Sequence, residues 1–304
     1  MSLADLLASS PALLLASCVV AGLIIGSFLN VVIHRLPIML ERRWQELCEE
    51  ELAAQDETVA AAPRPPPPRY DLVAPRSCCP ACGAPITALQ NIPLLSYLLL
   101  GGRCASCHTR ISMRYPLVEA VTAAASGLLA WRFGYGLPLV AALILTWFLV
   151  ALSFIDLEQQ LLPDELTYPL LWMGLLLSVW GTGSSSVPVT AHAAIIGAVS
   201  GYLSLFSVYH LYRLLTGQEH ALGDGDFKLL AALGAWLGWK MLLPIIFFAA
   251  VTGAIGGALM LRARGKSLRT PIPFGPFLAM AGFLALVLGE PFLARHLPFF
   301  VPYP

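Results

Sequence analysis

Residues 11–33 read PALLLASCVVAGLIIGSFLNVVI, a stretch without a single charged side chain. An α-helix needs about 20 apolar residues to cross the hydrocarbon core of a bilayer, so this stretch is long enough for one transmembrane helix. Residues 1–10 contain Asp5 and no lysine or arginine, whereas a cleaved secretory signal begins with a basic region. We therefore expect a retained membrane anchor at the start of the chain.

The composition of the whole chain supports the same class of protein. Of 304 residues, 58% are hydrophobic and 12% are charged, and the mean hydropathy is +0.75. Soluble domains average about 45–50% apolar and ~25% charged residues, so an ordinary soluble enzyme is excluded. Lys plus Arg equals Asp plus Glu, 18 against 18, which gives no indication of a nucleic-acid partner. We expect a membrane protein in contact with lipid and not with nucleic acid.

Apolar stretches return after a hydrophilic segment. They lie at 117–133, 137–155, 162–180, 191–215, 227–239, 241–261 and 272–289. Together with the first stretch they predict an all-α polytopic membrane protein with about eight transmembrane helices. Because 117–133 and 227–239 contain Glu119, Arg132 and Lys228, a count of seven stays open. The predicted organisation is a first helix in 1–33, an insert at 34–116, and a helical bundle at 117–304.

The basic residues predict which side of the membrane the insert occupies. Nine of the 18 lie in the insert, and Arg262, Arg264, Lys266 and Arg269 precede the last apolar stretch. Loops that remain in the cytoplasm are enriched in lysine and arginine. With eight spans, both basic segments fall on one side, which we interpret as the cytoplasm. Both chain termini are then predicted to be periplasmic.

The insert combines a proline-rich spacer at 63–69 with two Cys-x-x-Cys turns, Cys79–Cys82 and Cys104–Cys107. In a reducing compartment such turns indicate metal rather than disulfides, and four thiolates from two tight turns form a closed structural zinc site. Four free thiols or a redox pair are the alternatives. Cys78 offers a longer spacing to Cys82, and His108 is interpreted as a neighbour of the site rather than a ligand.

Carboxylates next to apolar stretches are costly in a membrane protein, and several occur here. Solvation at a helix end, or N-capping by Asp164, explains any one of them alone. Asp156 and Asp226 are both predicted at the cytoplasmic boundary, where they could meet. Two adjacent carboxyl groups cannot both ionise at low cost, so one holds a proton while the other can take one from water. This is the requirement for aspartic proteolysis. Ser153 and Ser207, the other nucleophiles considered, lack an evident base.

Several landmarks of the sequence occur together in one order. They are Gly26–Pro37 (GSFLNVVIHRLP), the two Cys-x-x-Cys turns, Arg114–Glu119 (RYPLVE), Asp156 followed by Leu162-Pro163-Asp164, Gly223–Lys228 (GDGDFK) and Pro271–Pro276 (PIPFGP). In these residues the chain resembles the type IV prepilin leader peptidases, membrane aspartic proteases, over nearly its whole length.

The resemblance implies a bifunctional enzyme of the bacterial inner membrane. Such an enzyme cleaves the leader of pilin and pseudopilin precursors at the cytoplasmic face and methylates the new terminus with S-adenosylmethionine. The essential aspartate after Gly-x-Gly corresponds to Asp226, and the first aspartate corresponds to Asp156. Asp224 occupies a variable position, where it could perturb or partly replace its neighbour, and Asp164 is a lower-ranked candidate.

The methyl-donor site cannot be predicted, because no glycine-rich loop of the dinucleotide-binding type is present. The insert, with Gly101 and Gly102, is the candidate region. Two other classes of protein remain open at this point. A secondary transporter would place its charges near the bilayer midplane and show internal repeats, which the sequence does not. A receptor or assembly factor would leave the paired aspartates unexplained.

Overall fold

A computed structural model of the chain describes residues 2–55, 69–87, 89–180, 189–217, 223–263, 265 and 272–299. Over these residues the regular structure is helical, apart from two isolated antiparallel bridges. Residues 63–68 of the predicted spacer lie outside the described part of the chain, as do Arg264, Lys266, Arg269 and Pro271.

The described part of the chain contains ten α-helices, and the longest connection between two of them separates α2 from α3. Their bounds are α1 Leu3–Ser9, α2 Pro11–Gln55, α3 Leu95–Leu99, α4 Arg114–Phe133, α5 Leu137–Gln159, α6 Asp164–Trp180, α7 Ala191–Thr216, α8 Asp224–Leu237, α9 Leu242–Ala263 and α10 Gly275–His296. Local chemistry sets several of these ends. Thr190 caps α7 by accepting a hydrogen bond from the Ala193 amide, and Gly217 ends the same helix in the left-handed conformation.

The chain divides into two compact units. The larger unit comprises Met1–Gly22 and Thr122–Pro304, and the smaller unit comprises Leu23–Val121. In the larger unit the short helix α8 is the centre of the packing, since Asp226, Phe227 and residues 229–235 are buried. Leu170 of α6, Leu205 of α7 and Leu278 of α10 belong to the same buried core. Because its neighbours cover it, α8 does not need the length of an isolated helix to be stable.

Among the described residues, five helical segments are long and apolar enough to cross a membrane. They are Pro11–Leu52, Leu137–Gln159, Ala191–Thr216, Trp239–Leu259 and Gly275–His296. The prediction of an all-α polytopic membrane protein is therefore confirmed. The count of eight spans stays a prediction, because α4, α6 and α8 are outside this group. The helices α6 and α8 have only 17 and 14 residues, and α4 carries Glu119 and Arg132.

The second helix is longer than its apolar stretch. It continues past Ile33 to Gln55, with Pro37 inside it, into the segment expected to be a separate hydrophilic insert. Residues 38–55 are rich in Leu, Glu, Arg and Gln, which all have high helix propensity. The change in composition near residue 33 therefore marks the end of the apolar surface and not the end of the helix.

Candidate active site and cysteine cluster

Asp156 lies in the last turn of α5 and is only 5% exposed. The sequence had placed it just after a span ending at residue 155, but α5 continues to Gln159. Its Oδ2 accepts a hydrogen bond from the backbone N–H of Gly275, at 2.9 Å. Gly275 is the first residue of α10, so the carboxylate is anchored by a helix distant in sequence.

Asp226 lies in the first turn of α8 and is 6% exposed. Its Oδ2 accepts a hydrogen bond from the backbone N–H of Gly223, at 3.3 Å. Its Oδ1 is buried and has no hydrogen-bond partner among the described residues. Asp224, two residues earlier, is exposed. Residues two apart on a helix face different directions, which separates the two acids of this motif.

Asp156 and Asp226 lie in the larger unit, near enough to each other for their carboxyl charges to interact. Leu162 packs against both of the neighbouring glycines. A Cβ added to Gly225 would lie 2.5 Å from the Leu162 Cβ, and one added to Gly275 would lie 3.2 Å from the Leu162 methyl groups. This close packing holds α8 and the start of α10 next to the end of α5.

A buried carboxyl pair of this kind can move protons in both directions. One carboxylate can take a proton from water, while its protonated neighbour can donate one to a developing oxyanion. The free Oδ1 of Asp226 is a group that a bound water or substrate could satisfy. The arrangement therefore suits the activation of water against a carbonyl group.

Asp164, the lower-ranked candidate, forms an ion pair with Lys228. Its Oδ1 accepts a hydrogen bond from the Lys228 ammonium at 2.6 Å, and the two side chains are 46% and 21% exposed. The same ammonium lies 5.1 Å from the centre of the Tyr168 ring, within range of a cation–π interaction. This ion pair joins the first residue of α6 to the second turn of α8.

Glu119 of α4 is buried, and its role in the smaller unit is local. Its Oε2 accepts a hydrogen bond from the Leu94 N–H at 2.8 Å. Leu94 has a φ of 57°, which is unusual for a residue with a side chain. The carboxylate therefore fixes the turn that begins α3 and is not a solvated helix-end group.

The four predicted metal ligands come together in the smaller unit. The Sγ atoms of Cys79, Cys82, Cys104 and Cys107 all lie within 4.8 Å of one another. Of the described residues with metal-binding side chains, these four form the cluster, and Cys78 and His108 are not part of it.

The two Cys-x-x-Cys turns have the same pattern of backbone hydrogen bonds. The Cys79 N–H donates to the Ala84 carbonyl and the Cys104 N–H donates to the Thr109 carbonyl, each at 2.9 Å. Gly83 and His108 follow the second cysteine of each turn, with φ values of 71° and 56°. His108 therefore occupies the left-handed turn position that glycine occupies in the other turn.

The cluster fits a zinc ion. Tetrahedral zinc with Zn–S bonds of about 2.3 Å requires sulfur atoms about 3.8 Å apart. Cys79 Sγ and Cys107 Sγ are separated by 3.8 Å. Hydrogen bonding with the side chain and backbone of Thr109 lowers the pKa of Cys107 to about 6, which favours the thiolate that a metal binds.

The sequence did not predict that Arg35 binds the segment just before the first Cys-x-x-Cys turn, a contact that we call the Arg35 clamp. The buried Arg35 of α2 donates to the carbonyl oxygens of Asp71 and Pro75, at 2.8 and 2.6 Å. Backbone hydrogen bonds from Ala74 and Val73, together with the side chain of Arg69, lower the pKa of Asp71 to about 2. The sequence signal that could have indicated this turn is Asp71, because aspartate commonly begins a tight turn.

Comparisons with known proteins cover most of the chain. Residues 20–133 match the bacterial peptidase A24 N-terminal domain, and residues 143–258 match the type IV leader peptidase family. A protein of Pseudomonas aeruginosa is 49% identical over 98% of this chain and 99% of its own length. Proteins of Aeromonas hydrophila and Neisseria gonorrhoeae are 53% and 45% identical, over 88% and 89% of this chain and 89% of each relative.

All three relatives are named prepilin leader peptidase/N-methyltransferase. No solved structure matches the chain.

Proposed function

The chain belongs to the type IV leader peptidase family, and we propose that it cleaves the leader peptides of prepilins and secretion pseudopilins and then N-methylates the new terminal residue. The observation that supports the peptidase activity most directly is the meeting of two buried carboxyl groups from α5 and α8, Asp156 and Asp226. The names of the relatives support both activities.

In the proposed mechanism one aspartate is ionised and the other is protonated. The ionised carboxylate takes a proton from water as the water oxygen forms a bond to the scissile carbonyl carbon. The protonated carboxyl donates its proton to the carbonyl oxygen, which gives a neutral tetrahedral diol. When the C–N bond breaks, the proton gained from water passes to the leaving amine and a diol hydroxyl proton returns to the donor aspartate. The pair ends in its starting state without a covalent intermediate.

The proposed location of the reaction is the cytoplasmic face of the bacterial inner membrane. The insert and the aspartate pair would face the cytoplasm, and both termini would be periplasmic, as the distribution of basic residues predicts. The apolar stem of a prepilin would lie in the bilayer against the apolar helices, while its basic leader remains in the cytoplasm. This orientation presents the junction between leader and stem at the membrane boundary.

We propose that the four cysteines bind a structural Zn²⁺ ion. A four-thiolate site leaves no open coordination position for a substrate, so the ion stabilises the fold of the insert rather than performing chemistry. Few of the insert's large apolar side chains are buried in the described part of the chain, and metal binding can supply that missing stability.

We assign methyl transfer, with S-adenosylmethionine as the donor, to the smaller unit. This unit contains buried polar groups that hydrolysis in the other unit does not use. Asn30 is 4% exposed, and its Oδ1 has no hydrogen-bond partner among the described residues. Asn30→Ala is expected to reduce methylation at least tenfold and to leave cleavage within twofold of wild type. Equal loss of both activities would reject the assignment.

The proposed function is tested by incubating the purified protein in detergent with a prepilin and isotopically labelled S-adenosylmethionine. Mass spectrometry reads both products, because loss of the leader and gain of a methyl group have separate mass changes. The expected result is a shortened, singly methylated pilin. An intact prepilin after incubation with folded protein would reject the peptidase, and a shortened but unmethylated product would reject the methyltransferase.

A further inference from the structure

The first residue of α10, Gly275, makes a contact that neither the resemblance nor the relatives' names assign. Its backbone N–H donates to Asp156 Oδ2 at 2.9 Å, and both residues are buried. The first four N–H groups of a helix have no partner within the helix, so this amide is available to bind an acceptor. Here the acceptor is one of the two proposed catalytic carboxyl groups.

The position has no space for a side chain. A Cβ on Gly275 would lie 2.6 Å from Asp156 Oδ2, closer than real Cβ atoms approach other atoms. Gly275 is not among the residues with positive φ, so alanine could adopt its backbone conformation. A side chain at position 275 would therefore displace the Asp156 carboxyl group from its hydrogen bond, although the backbone torsion allows alanine.

The two carboxyl groups of the pair accept different backbone hydrogen bonds. Asp156 accepts a 2.9 Å hydrogen bond from a distant helix, whereas Asp226 accepts one of 3.3 Å from within its own helical turn. A backbone amide can only donate, so it favours a negatively charged acceptor. The buried, unpartnered Oδ1 of Asp226 is less costly when that carboxyl group is neutral.

We propose that Gly275 is a positioning residue of the peptidase reaction, and that its amide holds Asp156 as the ionised, water-activating carboxylate opposite a protonated Asp226. The proposal rests on the peptidase function proposed above. In the first step the proton of the attacking water passes to Asp156, and the proton of Asp226 passes to the scissile carbonyl oxygen.

The first test compares Gly275→Ala with Gly253→Ala. Gly253 lies in α9, where an added Cβ would make ordinary contacts of 3.5 Å with the Phe277 ring. In Gly275→Ala the kcat for leader cleavage is expected to fall about tenfold to a hundredfold, the range for losing a hydrogen bond to a charged group. The KM is expected to stay within twofold, and Gly253→Ala is expected to match wild type in both constants.

Methyl transfer to a peptide whose mature terminus is already free provides the control for folding. Because this reaction does not require hydrolysis, Gly275→Ala is expected to keep it within twofold of wild type. Unchanged kcat for cleavage, or a parallel loss of both activities, would overturn the positioning role. A wild-type protein that does not cleave prepilin would instead reject the proposed function, whatever the glycine variants do.

A backbone ester tests the amide without adding atoms. Replacing Gly275 by glycolic acid exchanges the N–H for an oxygen that cannot donate a hydrogen bond. The expected result is the same fall in kcat with KM unchanged. Wild-type kcat in the ester variant would show that the hydrogen bond does not position Asp156.

The assignment of the ionised member is tested with para-nitrophenyl glycidyl ether. An ionised carboxylate opens the epoxide by forming a C–O ester bond, and the oxygen released from the ring takes a proton from the neighbouring acid. Peptide mapping by mass spectrometry is expected to find the label on Asp156. A label on Asp226 would overturn the assignment.

Discussion

The Lys228 ammonium of α8 donates to Asp164 Oδ1 of α6 at 2.6 Å, two residues from Asp226. This contact accounts for Asp164 without giving it a role in hydrolysis. The pair is partly exposed, and such pairs contribute about 0–1 kcal/mol to stability.

We therefore expect Asp164→Asn to retain cleavage within a few-fold of wild type. Its thermal unfolding in detergent should shift only slightly, because solvent screens the pair. Cleavage rates and melting curves of the same preparations check both points. Loss of cleavage as complete as in Asp156→Asn would place Asp164 in the chemistry.

The two glycines of the Gly-Asp-Gly-Asp motif are expected to differ. In Gly225→Ala the new Cβ would lie 2.5 Å from Leu162 Cβ, so α8 must move away from the loop before α6. Overpacking of this kind costs about 1–3 kcal/mol, and cleavage should fall at least tenfold. Gly223→Ala, whose Cβ would lie 3.8 Å from Asp226 Oδ2, is the matched control and should remain active. Equal activity of the two variants would contradict the packing described here.

The Arg35 clamp should control the stability of the insert. In Arg35→Leu the carbonyl oxygens of Asp71 and Pro75 lose their donor, which costs about 1–3 kcal/mol for each oxygen left buried. Limited proteolysis between residues 69 and 112 should become faster. Arg42→Leu removes an exposed arginine that stacks on Tyr70 and should have a much smaller effect. Identical proteolysis of the two variants would argue against the clamp.

Metal analysis should find one zinc ion per purified chain. Cys104→Ser is expected to lose it, because a hydroxyl group replaces a thiolate ligand. Cys78→Ser should retain zinc, since Cys78 is outside the cluster. His108→Gly should also retain it, because glycine suits the positive φ at this position. Loss of zinc in His108→Gly would make the histidine a ligand.

The sequence predicted the membrane class and the cysteine cluster because each has a strong local signal, whereas the pairing of Asp156 and Asp226 was predicted from the order of the spans and from the resemblance. Long apolar stretches indicate spans, and the spacing of Cys79, Cys82, Cys104 and Cys107 indicates a metal site. The resemblance to the prepilin peptidases, based on short motifs, was confirmed by matches across the chain. The exposure of Asp224 and burial of Asp226 agree with the motif position that the resemblance had favoured.

The features that the sequence did not predict depend on tertiary packing. Nothing local to Gly275 indicates that its amide contacts a side chain 119 residues away. The extension of α2 beyond Ile33 was missed because polarity changes there while helix propensity does not. Composition does not give the number of spans, because a short apolar helix such as α8 can be buried by neighbouring helices instead of crossing the bilayer.

In the proposed reaction, Asp156 and Asp226 together hydrolyse the prepilin leader junction. The most direct measurement is the rate of leader release from a prepilin by purified Asp156→Asn and Asp226→Asn, with Asp224→Asn as the exposed, neighbouring control. A loss of at least a thousandfold is expected in each of the first two variants, because each lacks one of two acid–base groups that act as a unit. Near wild-type release is expected from the control, and all three variants should methylate a precleaved peptide. Substantial release of leader by Asp156→Asn or Asp226→Asn would show that the aspartate pair does not perform the hydrolysis.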